Sequence, residues 1–144
     1  EWFLEKATEI GIEKITPILS SHSERKNIKN ERLVKILVSA MKQSLKAYLP
    51  KLNTLTTFNN FIIQPFEGQK FIAHCNPGKK QLLKDSVNKN KNILILIGPE
   101  GDFSEKEVRT AKEHGFEEIS LGNSRLRTET AGVVACHTVN LINE

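Results

Sequence analysis

Apolar and polar positions alternate along the chain in two periods, and these sort it into helices and strands. Trp2 or Phe3, Ala7 and Ile10 share one face of a helix over residues 1–10, with Gly11 placed to cap it. Residues 12–19 then read as a short strand, in which Pro17 demands an edge or irregular position. A polar loop follows over 20–27. Asn30 is suited to cap a long helix to Leu49, where Leu33, Leu37, Ala40 or Met41, Ser44 and Tyr48 recur at helical spacing and Pro50 stops the run. Residues 51–69 are weakly patterned, with one short element expected around 56–61. Residues 70–75 read as a strand ended by Asn76-Pro77-Gly78, and residues 79–87 as a helix.

Residues 92–97 are an almost continuous aliphatic run, the pattern of a strand covered on both faces in a parallel sheet. Ser104 and Glu107 stand at capping-box positions for a helix that runs to His114 and closes at Gly115. Residues 117–121 form another expected strand. Gly122 opens a loop, and residues 130–142 are expected to form a terminal helix with Val133, Val134, His137 and Leu141 near one face. Strand and helix alternate, which defines an α/β fold with a mainly parallel sheet flanked by helices, one domain over residues 1–144.

The composition agrees. Of 144 residues, 38% are hydrophobic and 26% charged, enough for a globular core without disulfide or metal. The longest apolar run, residues 93–97, falls far short of the roughly 20 residues a membrane span needs, so no membrane partner is expected. Cys75 and Cys136 lie far apart with no ligand spacing around them, which suits two reduced thiols in a cytoplasmic protein and no metal. The opening stretch Glu1-Trp2-Phe3-Leu4-Glu5 is acidic as well as apolar, unlike a secretory signal. Because the chain does not start with Met, it is expected to begin inside a longer gene product. Lys and Arg total 21 against 17 Asp and Glu; the net charge of +4 permits nucleic-acid binding without establishing it.

Ligands of open α/β sheets sit beyond the carboxyl ends of the strands. Three such ends are His74-Cys75-Asn76-Pro77-Gly78, Gly98-Pro99-Glu100-Gly101, and the run from Gly122 to Thr130. No Gly-x-Gly-x-x-Gly is present, and the second loop lacks the Lys-Ser/Thr of a phosphate loop. Glu100 would repel a phosphate, so a ligand there is expected to be held by backbone amides and carbonyls. In the third loop Arg125, Arg127 and Glu129 alternate just before a helix, flanked by Thr128, Thr130, Ala131 and Gly132. That composition suits close approach by a ligand or another chain segment. An ordinary strand-to-helix turn and a charged surface turn are the structural alternatives.

Residues 95–104, Ile-Leu-Ile-Gly-Pro-Glu-Gly-Asp-Phe-Ser, and residues 121–131, Leu-Gly-Asn-Ser-Arg-Leu-Arg-Thr-Glu-Thr-Ala, together resemble the signature pair of the bacterial 16S ribosomal RNA uridine N3-methyltransferases, in the SPOUT superfamily. Glu5 to Gly11, Glu24-Arg25, Ala40, Gln43-Ser44 and Pro50 extend the resemblance from end to end. Asp102 stands where that family commonly has a second Gly, Lys46 where it has Arg, and Arg125 where it has Ile.

The resemblance implies a C-terminal trefoil knot, S-adenosylmethionine as methyl donor, and 16S rRNA of the small ribosomal subunit as partner. It also implies a homodimer, for which Trp2, Phe3, Val133 and His137 are candidate contacts, and a β-barrel RNA-binding domain preceding this one. The donor is expected against His74, Ile97, Gly98, Glu100, Gly101, Leu121, Gly122 and Leu126. Arg127 and Glu129 are the catalytic candidates; Arg25, Lys42, Gln43 and Lys46 are those for RNA. A non-catalytic RNA-binding module of the same fold and a small-molecule α/β enzyme are the alternatives.

Overall fold

The computed structural model describes residues 3, 6–7, 11–20, 35–36, 38–40, 50–76, 80–99, 101–122 and 126–143. In chain order its elements are β1 (Lys14–Ile15), β2 (Ile18–Leu19), β3 (Lys51–Leu52), β4 (Thr56–Thr57), α1 (Phe58–Ile62), β5 (Gln69–Ala73), β6 (Gln81–Leu82), α2 (Leu83–Ser86), β7 (Ile93–Ile97), α3 (Glu105–Glu113), β8 (Glu117–Ser120) and α4 (Thr128–Ile142). Phe3, Lys6 and Ala7 are helical, as are residues 35–36 and 38–40 of the expected long helix. Ala40 is buried there and Lys35 exposed, as the apolar spacing requires.

Among the described residues four parallel strands form one sheet in the order β6-β8-β5-β7, while β1 pairs with β3 and β2 with β4. Register runs from Gln69 opposite Ile93 to Ala73 opposite Ile97, and from Phe71 opposite Glu117 to Ala73 opposite Ile119. Because side chains alternate across a strand, the sheet feeds two cores. Ile72 and Leu96 join Phe58, Ile62, Phe103, Val108 and Phe116 under α1 and α3. Phe71, Ala73 and Ile119 join Leu83, Val87 and Ala135 under α2 and α4. β7 serves both cores, with Leu94 and Leu96 on one side and Ile93, Ile95 and Ile97 on the other. This is the two-faced burial its aliphatic run predicts, achieved at the outer position of these four strands.

Three local expectations give way. The strand expected over 12–19 is broken at Thr16-Pro17 into β1 and β2. Residues 79–87 are not one helix: Gln81 and Leu82 pair with Ile119 and Ser120 of β8, leaving a single turn in α2. In α4 the face toward the sheet carries Ala135, Val139 and Ile142, with Gly132 also buried. His137 is exposed and Leu141 is 56% exposed. α4 is apolar on most of its circumference, so its spacing fits more than one inward face.

Helix ends follow the sequence closely. Ser104 Oγ accepts from the Glu107 N–H at 3.1 Å and the Glu107 carboxylate accepts from the Ser104 N–H at 2.9 Å, a complete capping box on α3. Gly115, with φ 88°, takes the left-handed turn that ends this helix.

Candidate functional site

β5, β7 and β8 are parallel neighbours, so their carboxyl ends deliver three loops to one edge of the sheet. Between the loops lies a cleft of about 430 Å³. Ala73, Ile97, Ile119, Leu121, Leu126 and Ala131 make its apolar lining; His74, Cys75, Asp102, Ser120, Arg127 and Thr128 add polar groups. Size and lining are those of a small-molecule site.

The first loop is held from beneath. His74 is buried; its Nε2 lies 2.9 Å from Glu118 Oε2, and its Nδ1 accepts from the Asn76 N–H at 3.1 Å. An accepting Nδ1 leaves a ring proton on Nε2, which donates to Glu118. Lys112 reaches the other Glu118 oxygen at 2.8 Å. That hydrogen bond, aided by His74, outweighs desolvation and holds the Glu118 carboxyl below its ordinary value. The Lys80 ammonium donates to the carbonyls of His74 and Asn76, both at 2.8 Å.

The second loop turns between Pro99 and Asp102, whose N–H donates to the Pro99 carbonyl at 2.8 Å. Asn76 Nδ2 donates to the Phe103 carbonyl at 2.9 Å, joining first loop to second. The third loop begins with Ser120 Oγ, which donates to the Gly122 carbonyl at 2.9 Å and accepts from its N–H at 3.1 Å. Gly122 has φ 137°, a conformation that an L side chain strains. Thr128 Oγ1 then donates to the Gly98 carbonyl at 2.8 Å and fixes the third loop to the second.

Of the donor-site residues expected from sequence, His74, Ile97, Gly98, Leu121, Gly122 and Leu126 line the cleft. Gly101 lies in the second loop but not on the lining, and Glu100 lies outside the described residues. Arg127 lines the cleft as the exposed N-cap residue of α4. Glu129 is half-buried in the first helical turn and is not part of the lining. Among the described residues no ion pair joins Arg127 to Glu129; the pairs formed are His74–Glu118 and Lys112–Glu118.

Arg25, Lys42, Gln43 and Lys46 lie outside the described residues, as do Trp2 and Arg125. Phe3 packs within its own chain: a Cβ added at Gly132 would fall 2.5 Å from its ring. Sequence reasoning passed over Cys75, Asp102 and Ser120 on the lining. The signal available for Asp102 was its position in a glycine-flanked turn, where Asp is among the few side chains that tolerate a left-handed backbone. Among the described residues no group of three His, Cys, Asp or Glu side chains could hold a metal ion, and no helix is long and apolar enough to cross a membrane.

Fold and cleft together define an α/β domain with a largely apolar cleft at the carboxyl edge of a parallel sheet. Residues 1–140 match the RNA methyltransferase domain family, and the chain belongs to it. The crystal structure of a probable rRNA-methyltransferase from Porphyromonas gingivalis superposes with a TM-score of 0.93 at 45% identity, covering 99% of this chain and 61% of that one. The ribosomal RNA small subunit methyltransferase E of Neisseria gonorrhoeae, solved bound to S-adenosyl methionine, gives 0.83 at 28% identity over 99% and 60%. The ribosomal RNA small subunit methyltransferase E of Mesomycoplasma hyopneumoniae is 29% identical over 138 residues, 92% of this chain and 60% of the relative. The chain thus spans about 60% of the length of these relatives.

Proposed function

We propose that this chain is the catalytic domain of a methyltransferase that carries a methyl group from S-adenosylmethionine to N3 of a uridine in 16S rRNA of the small ribosomal subunit. The observation that carries the proposal is the cleft where three strand-end loops converge, in a family of RNA methyltransferase domains with a relative of the same fold bound to the donor. The fit is chemical as well as spatial. The apolar walls suit the faces of an adenosine, and the backbone polar groups of the three loops suit its edges. His74, Ile97, Gly98, Glu100, Gly101, Leu121, Gly122 and Leu126 are the residues assigned to it.

The donor supplies an electrophilic methyl group. The protein must do the rest: hold the base in line with that methyl, take the N3 proton and exclude water. Uracil N3 is a poor nucleophile while protonated. Glu129 sits in the first turn of α4, next in sequence to the cleft-lining Thr128, and is assigned the proton. Arg127, on the cleft, is assigned the negative charge that develops on the uracil carbonyl oxygens. Arg25, Lys42, Gln43 and Lys46 are assigned to RNA.

The same reading includes the C-terminal trefoil knot and a preceding β-barrel domain in a longer cytoplasmic protein, both implied by the family resemblance alone. It also includes a homodimer using the outward face of α4, where His137 and Leu141 stand exposed. Sedimentation of a monomer at micromolar concentration would remove the dimer.

The chemical assignment is tested in the full-length protein by Glu129→Gln. Methylation of small subunits is expected to fall at least a hundredfold, while affinity for S-adenosylhomocysteine measured by calorimetry stays within twofold. Full turnover by the variant across neutral pH removes Glu129 from the chemistry. Absence of S-adenosylhomocysteine binding by the wild type overturns the donor site itself and favours the RNA-binding module.

A further inference from the structure

Asp102 has φ 64°, in the left-handed region that costs most side chains energy. Its carboxylate accepts from two backbone N–H groups: Oδ1 from Phe103 at 2.8 Å, and Oδ2 from Cys75 at 2.8 Å. The first bond stays inside the second loop. The second crosses 27 residues of sequence to grip the first loop between His74 and Asn76. Oδ1 also lies close over Gly98, 3.1 Å from where a Cβ would stand, so any side chain at 98 would press on the carboxylate. Gly98 in turn is the acceptor that anchors Thr128 of the third loop.

We infer that Asp102 is a positioning residue: its ionised carboxylate staples the first strand-end loop to the second and so sets the width of the cleft. This rests on the reading of the cleft as the donor site. A neutral carboxamide offers one acceptor oxygen and cannot satisfy both N–H groups, whereas a carboxylate can. The staple therefore requires two acceptor oxygens, which a carboxylate supplies and a carboxamide does not.

The test uses the full-length protein with Asp102→Gly and Asp102→Asn. Glycine releases the backbone cost of the positive φ, so Asp102→Gly keeps a melting temperature near the wild-type value while losing both hydrogen bonds. Affinity for S-adenosylhomocysteine is expected to fall about tenfold or more in Asp102→Gly, with Asp102→Asn in between. Amide hydrogen exchange at Cys75, read without ligand, is expected to accelerate in Asp102→Gly. Affinity within twofold of wild type in both variants overturns the inference, as does unchanged exchange at Cys75. Should the wild type fail to bind S-adenosylhomocysteine, the donor reading falls, and the Cys75 exchange still decides whether the staple exists.

Discussion

Cys75 and Cys136 carry the same thiol in opposite settings. Cys136 lies on α4 and is half-buried, and this burial pushes its thiol up to about 11, leaving almost no thiolate at neutral pH. Cys75 is exposed on the wall of the cleft. Iodoacetamide at pH 7.5 is therefore expected to label Cys75 and spare Cys136, as read by peptide mass spectrometry, and saturating S-adenosylhomocysteine should slow that labelling. Labelling of Cys75 at the same rate with and without ligand would place the donor elsewhere. Glu118 makes a second prediction. Its carboxyl is held below 4.5 when folded, chiefly by Lys112, so its contribution to stability is present above the unfolded value and disappears as pH falls through the folded one. Glu118→Gln should accordingly flatten the loss of stability below about pH 4.5. At neutral pH its cost should be modest, about 1 kcal/mol, because the Lys112 side chain is 56% exposed and glutamine still accepts from His74. A melting curve for Glu118→Gln that tracks wild type from pH 7 to pH 3 would show that the pair carries no stability.

At the scale of elements, the legible parts of the sequence are those decided by neighbours a few residues apart. Ser104 and Glu107 announce the start of α3, and Gly115 its end, because both devices act within one turn of backbone. Ser104→Ala removes the cap and should cost about 1 kcal/mol, read as a lower denaturant midpoint with unchanged slope. No change in midpoint would mean that packing of Val108 and Ala111 alone sets this helix. The elements that sequence misplaced depend on partners far along the chain. β6 is two residues long and exists because Leu82 finds Ser120 of β8, a pairing that no local pattern at 79–87 encodes. The inward face of α4 is settled by the core it joins, which includes Phe71 and Ile119, and not by its own apolar spacing alone. Two of the three strand-end loops were legible because a glycine follows an aliphatic strand and requires a turn, and the first because Asn76-Pro77-Gly78 ends its strand. The ties between the loops, from Asp102 to Cys75 and from Thr128 to Gly98, were not, because each joins residues about 30 positions apart.

For the whole molecule, the two cores and the parallel sheet matter to function mainly through what they hold at one edge. β5 is buried on both faces, β7 and β8 flank it, and their carboxyl ends carry His74, Gly98 and Leu121 to the same cleft. On the proposed reading a net charge of +4 allows few phosphate contacts, so the domain alone is expected to bind RNA weakly, with an affinity that falls with salt. The proposed ribosomal substrate sets the decisive assay. The full-length protein is incubated with isotopically methyl-labelled S-adenosylmethionine and small ribosomal subunits from cells lacking the enzyme. The 16S rRNA is then digested to nucleosides and read by mass spectrometry. Label is expected in 3-methyluridine; label in any other nucleoside, or in none while S-adenosylhomocysteine still binds, would contradict the proposed reaction.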